Sequence, residues 1–420
     1  MDRDEMLDAL TSFYLNSHDY NGMAVSSLVK THGEAETREC LSSLVGDGLV
    51  SVVFGDYHPN PHIKALPSES EEEQREKLTT SKSLHACVYP TTKHLETVVD
   101  PGAFSDRPFS LCLALGQAQL EHKAFELSVL ELYRNDPRYA YEYGDIRGHI
   151  CIREEFYGKN NMKESDEILL ESFGFAFDDD DNIFVAAFLR YLSHLSPEHQ
   201  LIWASKQVNR KTFLHPDYYR TSIVGDFPER LSLFQAVLLE MKTVNDICAA
   251  IGRTPLFKDD FAEHRRPREF GYLLRPTSKE YGEFIHLIDK MLSENINREF
   301  FASDIAFETE EERGDGKIVL KQKGTIQILN DWLRKEFRTD DWSQIEEMIQ
   351  TLKHVRTLRQ KPAHSIKGNE FDQKYIHEQR KLMIQVYRAL KTIRLVLGFH
   401  PLSSNIMISR LLEEGQIWSR

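Results

Sequence analysis

No apolar run in this chain approaches the 18 or so residues of a membrane-crossing helix, and Met1-Asp2-Arg3-Asp4-Glu5 has nothing like the apolar core of a secretion signal. Several common chemistries lack their signatures as well. There is no GxxxxGK[ST] phosphate loop, no GxGxxG, no GxSxG and no HExxH. The five cysteines, at 40, 87, 112, 151 and 248, are widely scattered and form no CxxC, which argues against a zinc ribbon and for a reducing compartment. His58 and His62 are four apart but sit in a Pro-rich turn, where a helix-face metal pair does not form. No internal repeat stands out. Together these absences predict a soluble, cytoplasmic protein with no membrane association, no bound metal and no cofactor, long enough for two or three hydrophobic cores.

Basic charge is in excess in one place only. The formal net charge of the 420 residues is −14, yet residues 316–402 hold 17 Lys and Arg against 9 Asp and Glu, an excess of +8. Residues 1–315 carry −22. A basic segment on an acidic chain is the asymmetry expected of a local phosphate-binding surface, here for RNA. A solvated basic bundle without a ligand has the same composition.

The basic segment coincides with helical patterning. Thr277-Ser278-Lys279-Glu280 is a capping-box sequence, followed by Tyr281, Phe284, Ile285, Ile288, Met291 and Leu292 on one helical face. A second helix runs through Ile326, Leu329, Trp332 and Leu333. A third spans Asp340 to Lys361, capped by Asp340 or Asp341, with Trp342, Ile345, Met348, Ile349, Leu352 and Val355 as its apolar stripe. A fourth covers about Asp372 to Leu397. Four amphipathic helices in this length predict a bundle over 277–402, with 403–420 as a C-terminal tail.

The next residue on the third stripe is Arg359. Pro362 disfavours helical geometry at Lys361, so Arg359 falls in the last turn on the inward face and His364 just past the end. A helix-capping Arg and a His packed in a turn would account for both. Their chemistry allows more. Imidazole titrates near neutrality and can carry protons, while guanidinium stays cationic and grips phosphate oxygens through its planar fork. Arg356, Lys361 and Lys367 bracket the pair. Arg210…His215 and Arg394…His400 have comparable spacing without that context.

An Arg-x4-His element among helices, with a long final helix after a short loop, resembles the HEPN superfamily of all-helical nucleic-acid-associated domains. The resemblance covers residues 277–402. It implies a metal-independent endoribonuclease that dimerises to bring two motifs into one cleft, with Arg359 stabilising phosphate charge, His364 transferring protons and Gln360 orienting. Gln360 stands where the family commonly has Asn, Asp or His. Inactive members serve as dimerisation or interaction scaffolds. Defence or toxin-like growth arrest is the role the resemblance implies.

The N-terminal region reads differently. Helical patterns over Asp4–Asn16, Gly22–Lys30 and Glu34–Val45 lead into β-prone Val50–Phe54, with a return through His62–Leu66. Residues 1–66 thus resemble a winged helix, a fold often found in transcriptional regulators. This stretch holds 4 basic and 10 acidic side chains, and its third helix opens Glu34-Ala35-Glu36. Those carboxylates oppose phosphates, so a protein partner is expected in preference to DNA. Residues 67–83 are expected to be a polar linker, a solvated helix being the alternative. Residues 84–270 are expected to form a mixed, mostly helical domain, with helices over Asn182–Val208 and Glu229–Ile251, helical character over Ser110–Leu132 and a short strand near Gly144–Ile152. Asp178–Asp181 reads as a solvated turn. The expected fold class is mainly α and multidomain.

Overall fold

The computed structural model describes residues 2–17, 19–54, 69–79, 85–159, 163–227, 229–261, 265–312, 318–360 and 368–418. The architecture is mixed α/β, with 52% of the described residues helical and several small antiparallel sheets. Two compact units are present, Met1–Glu142 with Arg147–Gly225, and Tyr143–Ile146 with Asp226–Arg420. Among the described residues no helix is long and apolar enough to cross a membrane.

The first unit opens with α1 (Arg3–Asn16), started by a reciprocal cap between Asp2 and Glu5 and burying Met6, Leu7, Leu10 and Tyr14. A two-residue strand, β1 (Met23–Ala24), leads into α2 (Val25–His32). Gly33, at φ 83°, makes the turn to α3 (Glu34–Gly46) in a conformation that favours glycine. Then come β2 (Val50–Phe54), α4 (Glu71–Leu78) and β3 (Ala86–Pro90), the strands pairing antiparallel in the order β1-β3-β2. The strand returning against β2 is therefore β3; the expected return at His62–Leu66 lies outside the described residues. The expected linker also needs correcting, because Glu71–Leu78 is a packed helix. Its only two uncharged residues, Gln74 and Leu78, are one turn apart and both buried. The Gln74 amide accepts from the Val52 N–H at 2.8 Å and donates to the Glu69 carbonyl at 2.7 Å.

Beyond α5 (Thr92–Val98) and α6 (Pro108–Ala114) the middle is mixed, with a sheet far larger than the one short strand expected near Gly144–Ile152. β4 (His122–Phe125) lies within the stretch Ser110–Leu132, and after α7 (Glu131–Asn135) follow β5 (Tyr139–Tyr143), β6 (Arg147–Ile152), β7 (Leu169–Phe177) and β8 (Ile183–Phe188). These strands form a sheet in the order β4-β8-β7-β6-β5, and β9 (Phe213–Leu214) also pairs with β7. The helix expected over Asn182–Val208 is instead β8, α8 (Leu189–Ser193) and α9 (Pro197–Ala204). The reason is burial on both sheet faces. Phe184 to Phe188 are all buried, and an uninterrupted apolar run carries no period to separate strand from helix. The short α10 (Pro216–Tyr219) follows β9.

The second unit contains all four helices expected over 277–402. β10 (Leu231–Ser232) runs into α11 (Leu233–Ala250), and α12 (Ser278–Met291) precedes a hairpin of β11 (Glu308–Glu312) and β12 (Ile318–Gln322). α13 (Thr325–Glu336), α14 (Ser343–Gln360) and α15 (Lys374–Gly398) complete the bundle. α11 belongs to it as well, lying along α15 and sharing one hydrophobic cluster with α12 to α15. The helical unit therefore takes in a segment expected to belong to the middle domain. The C-terminal stretch is docked to the unit, since α16 (Arg410–Glu413) buries Leu412 and β13 (Ile417–Trp418) pairs parallel with β10.

Candidate nucleic-acid interface

α14 answers the question of why an arginine continues its apolar stripe. Asp341 accepts from the Ser343 N–H at 2.9 Å at its start, and Ile345, Met348, Ile349, Leu352 and Val355 are buried along it. Across from its last turns lies α12, which carries a misfit of its own. Asp289 sits on a face otherwise made of Phe284, Ile285, Ile288 and Met291, and its side chain is 0% exposed. Arg356 donates Nε–H to Asp289 Oδ1 at 3.0 Å, and Arg359 donates from Nη1 to Asp289 Oδ2 at 2.6 Å. Each misfit resolves the other. A buried carboxylate alone would be strongly destabilising, and two guanidiniums at i and i+3 would repel; bridged, both become tolerable.

A second carboxylate reaches the same cluster from outside. Glu294, in the turn after α12, accepts from Arg359 Nη1 and is 41% exposed. The Arg359 hydrogen bond, with the charges of Arg359, Arg356 and His286, holds the Glu294 carboxyl below the usual carboxylate range. The same two carboxylates push the Arg359 guanidinium further up. His286, one turn before Asp289 on α12, thus adds an imidazole near Glu294.

Donor accounting defines what the cluster can hold. A guanidinium has five N–H groups. Among the described residues Arg356 uses one, on Asp289, and Arg359 uses two, on Asp289 and Glu294. Among the described residues most of the N–H donors on both side chains are thus left over, on groups 36% and 29% exposed. Two forks fixed from behind by one buried carboxylate are a geometry for oxyanions.

Of the residues read from sequence, Arg356 and Arg359 are brought together, and Gln360 ends α14 exposed to solvent. Lys361, His364 and Lys367 lie outside the described residues, as do His58 and His62. Sequence reading singled out neither Asp289 nor Glu294. A signal for Asp289 was present, since it interrupts an apolar face just as Arg359 does; Glu294 left none. Arg394, of the second spacing match, is buried against Glu240 with contacts of 2.6 and 3.2 Å. Arg210 reaches Asp178 at 3.0 Å. That aspartate also accepts from the Asp180 and Asn182 N–H groups, closing the acidic turn between β7 and β8. Among the described residues no group of three or more His, Cys, Asp or Glu converges as a metal site.

No protein-family model, no curated protein and no solved structure matches the chain.

Proposed function

We propose that the C-terminal helical unit is a HEPN-like module that binds RNA and cleaves it without a metal ion. The observation carrying this reading is the pair of arginines on α14, oriented by the buried Asp289, partly exposed, and with most of their donors unused among the described residues. The basic excess of residues 316–402 supports it electrostatically. In the reaction the ribose 2′-hydroxyl attacks the adjacent phosphorus, a 2′,3′-cyclic phosphate forms and the 5′-oxygen leaves with a proton. Arg359 stabilises the charge gathering on the phosphoryl oxygens, His364 transfers protons and Gln360 orients the substrate. Arg356, Lys361 and Lys367 hold flanking phosphates. One His364 per chain serves two proton transfers poorly, which is the reason to propose a homodimer through this unit.

The test is cleavage of a labelled single-stranded RNA in EDTA by wild type, Arg359→Ala and His364→Ala. Each variant should lose on the order of 10²–10³ in rate, and the products should end in 2′,3′-cyclic phosphate. Arg210→Ala is the control for spacing alone. Wild-type rates from a folded His364→Ala protein would overturn the assignment.

A second reading has its own support. Asp289 and Glu294 together match the charge of Arg356 and Arg359, as a purely structural cluster in an inactive dimerisation or interaction scaffold would. Wild type that cuts no RNA under any condition, yet elutes as a dimer, favours this alternative. For the N-terminal residues, three helices with strands ordered β1-β3-β2 support a winged-helix-like module. Glu34 and Glu36 in the first turn of α3 favour a protein partner over the DNA contacts of a transcriptional regulator.

A further inference from the structure

The two carboxylates on Arg359 are not equivalent. Asp289 is fully buried and has no route to water, whereas Glu294 is 41% exposed. The backbone beneath Glu294 is held on several sides. Thr325 donates to the Ser293 carbonyl at 2.6 Å, Lys258 donates to the Glu294 carbonyl at 3.0 Å, and Asn295 exchanges hydrogen bonds with the Asp259 backbone at 2.6 and 2.9 Å. The carboxylate therefore extends from a fixed stalk and leaves Arg359 by side-chain rotation alone. In place, it takes the second hydrogen of the Arg359 Nη1 that Asp289 also holds, and brings the cluster of Asp289, Glu294, Arg356 and Arg359 to zero net charge.

We propose that Glu294 is a built-in counter-ion that competes with RNA phosphate for Arg359, so that an incoming phosphate must displace it. This rests on the anion-binding reading of the arginine pair given above. The displacement is an exchange of one anion for another on the same nitrogen, and no covalent step is involved. One consequence concerns salt. With Glu294 on Arg359, little solution counter-ion condenses there, so binding releases little from that residue. With the carboxylate neutralised, Arg359 recruits an anion from solution and RNA releases it.

The experiment is a fluorescence-anisotropy titration of a labelled 12-nucleotide single-stranded RNA with full-length wild type, Glu294→Gln, Arg359→Gln and the double variant, between 50 and 200 mM KCl. Removing a like charge at contact distance from a partly exposed site should tighten binding on the order of fivefold to tenfold at low salt. The slope of log affinity against log salt should steepen by about 0.7, one single-strand phosphate equivalent. Arg359→Gln should weaken binding, and Glu294→Gln added to it should change nothing further. Circular dichroism and a melting curve confirm that each variant is folded; Glu294→Ala provides a second neutralisation should the amide itself interact. RNA binding that depends on Arg359 but is equal or weaker in both Glu294 variants overturns the competition and leaves the anion-site reading standing. Binding that Arg359→Gln leaves unchanged, or no binding by wild type and both Glu294 variants, overturns both.

Discussion

Replacing Asp289 by Asn should separate orientation from attraction in the arginine cluster. The substitution keeps shape and removes charge, but half of the new amide is a donor, so one guanidinium would face N–H groups where it now meets oxygen. Removing one member of a buried ion pair costs about 3–5 kcal/mol where the orphaned charge stays buried. Here the orphans are Arg356 and Arg359, which already see solvent and can turn outward. That lowers the expectation to about 2–3 kcal/mol, the value of one or two charge-assisted hydrogen bonds. For a unit of this size it corresponds to a fall of about 4–12 °C in the melting transition. Arg359→Ala should cost less, because Asp289 keeps Arg356 at 3.0 Å. Calorimetry and urea unfolding give the stability, and RNA binding gives the second readout. Asp289→Asn raises the local charge by one, so affinity should hold or rise at low salt, while cleavage falls by about 10²-fold because the forks are no longer aimed. A stability loss under about 0.5 kcal/mol, the scatter of an ordinary surface substitution, refutes the claim that Asp289 fixes the pair. Equal loss of binding and cleavage refutes the claim that it orients without attracting.

Two further outcomes follow from buried charges elsewhere. Glu240 and Arg394, bidentate between α11 and α15, are both buried; Glu240→Gln should destabilise by about 3–5 kcal/mol, and Glu240→Leu with Arg394→Met should recover most of it, measured by urea unfolding. Arg394→Ala is for the same reason unsuited as a neutral control for the Arg359 chemistry, whereas the half-exposed Arg210 serves. In the first unit, burial lowers the pKa values of His94, His122 and His199. Below about pH 6.5 the unfolded chain takes up these protons first, so stability should fall as pH drops from about 6.5 and the loss should be complete below the folded values. Unfolding midpoints that stay flat between pH 7.5 and 5.5 would contradict that assignment.

The helical unit was legible because its helices keep one wet face. α12 shows Tyr281, Phe284, Ile285 and Ile288 against exposed Lys279, Glu283 and Lys290, and Thr277 accepts from the Glu280 N–H at 3.2 Å, one half of the expected capping box, while the Glu280 carboxylate accepts from the Leu274 and Arg275 N–H groups instead. The first-unit sheet was legible only at β6, where a short strand was expected near Gly144–Ile152; β8 and the second half of β7 are buried on both faces and offer no alternation to read. α4 was half legible. Its charge was plain, but a buried stripe of only Gln74 and Leu78 is too narrow to register as amphipathic.

The candidate site belongs to a different class of problem. Arg359 and Asp289 each break an apolar stripe, and either alone looks like an error of patterning. Seventy positions apart, nothing local connects them; only the packing of α14 on α12 makes each the explanation of the other. Stability accounts for one carboxylate, since a single buried Asp289 suffices to hold two arginines. It does not account for the second. Glu294 bonds an arginine already compensated, from a position open to solvent where such a pair contributes about 0–1 kcal/mol. A residue that adds so little to the fold yet cancels the remaining charge of the proposed anion site is better understood through what it keeps out.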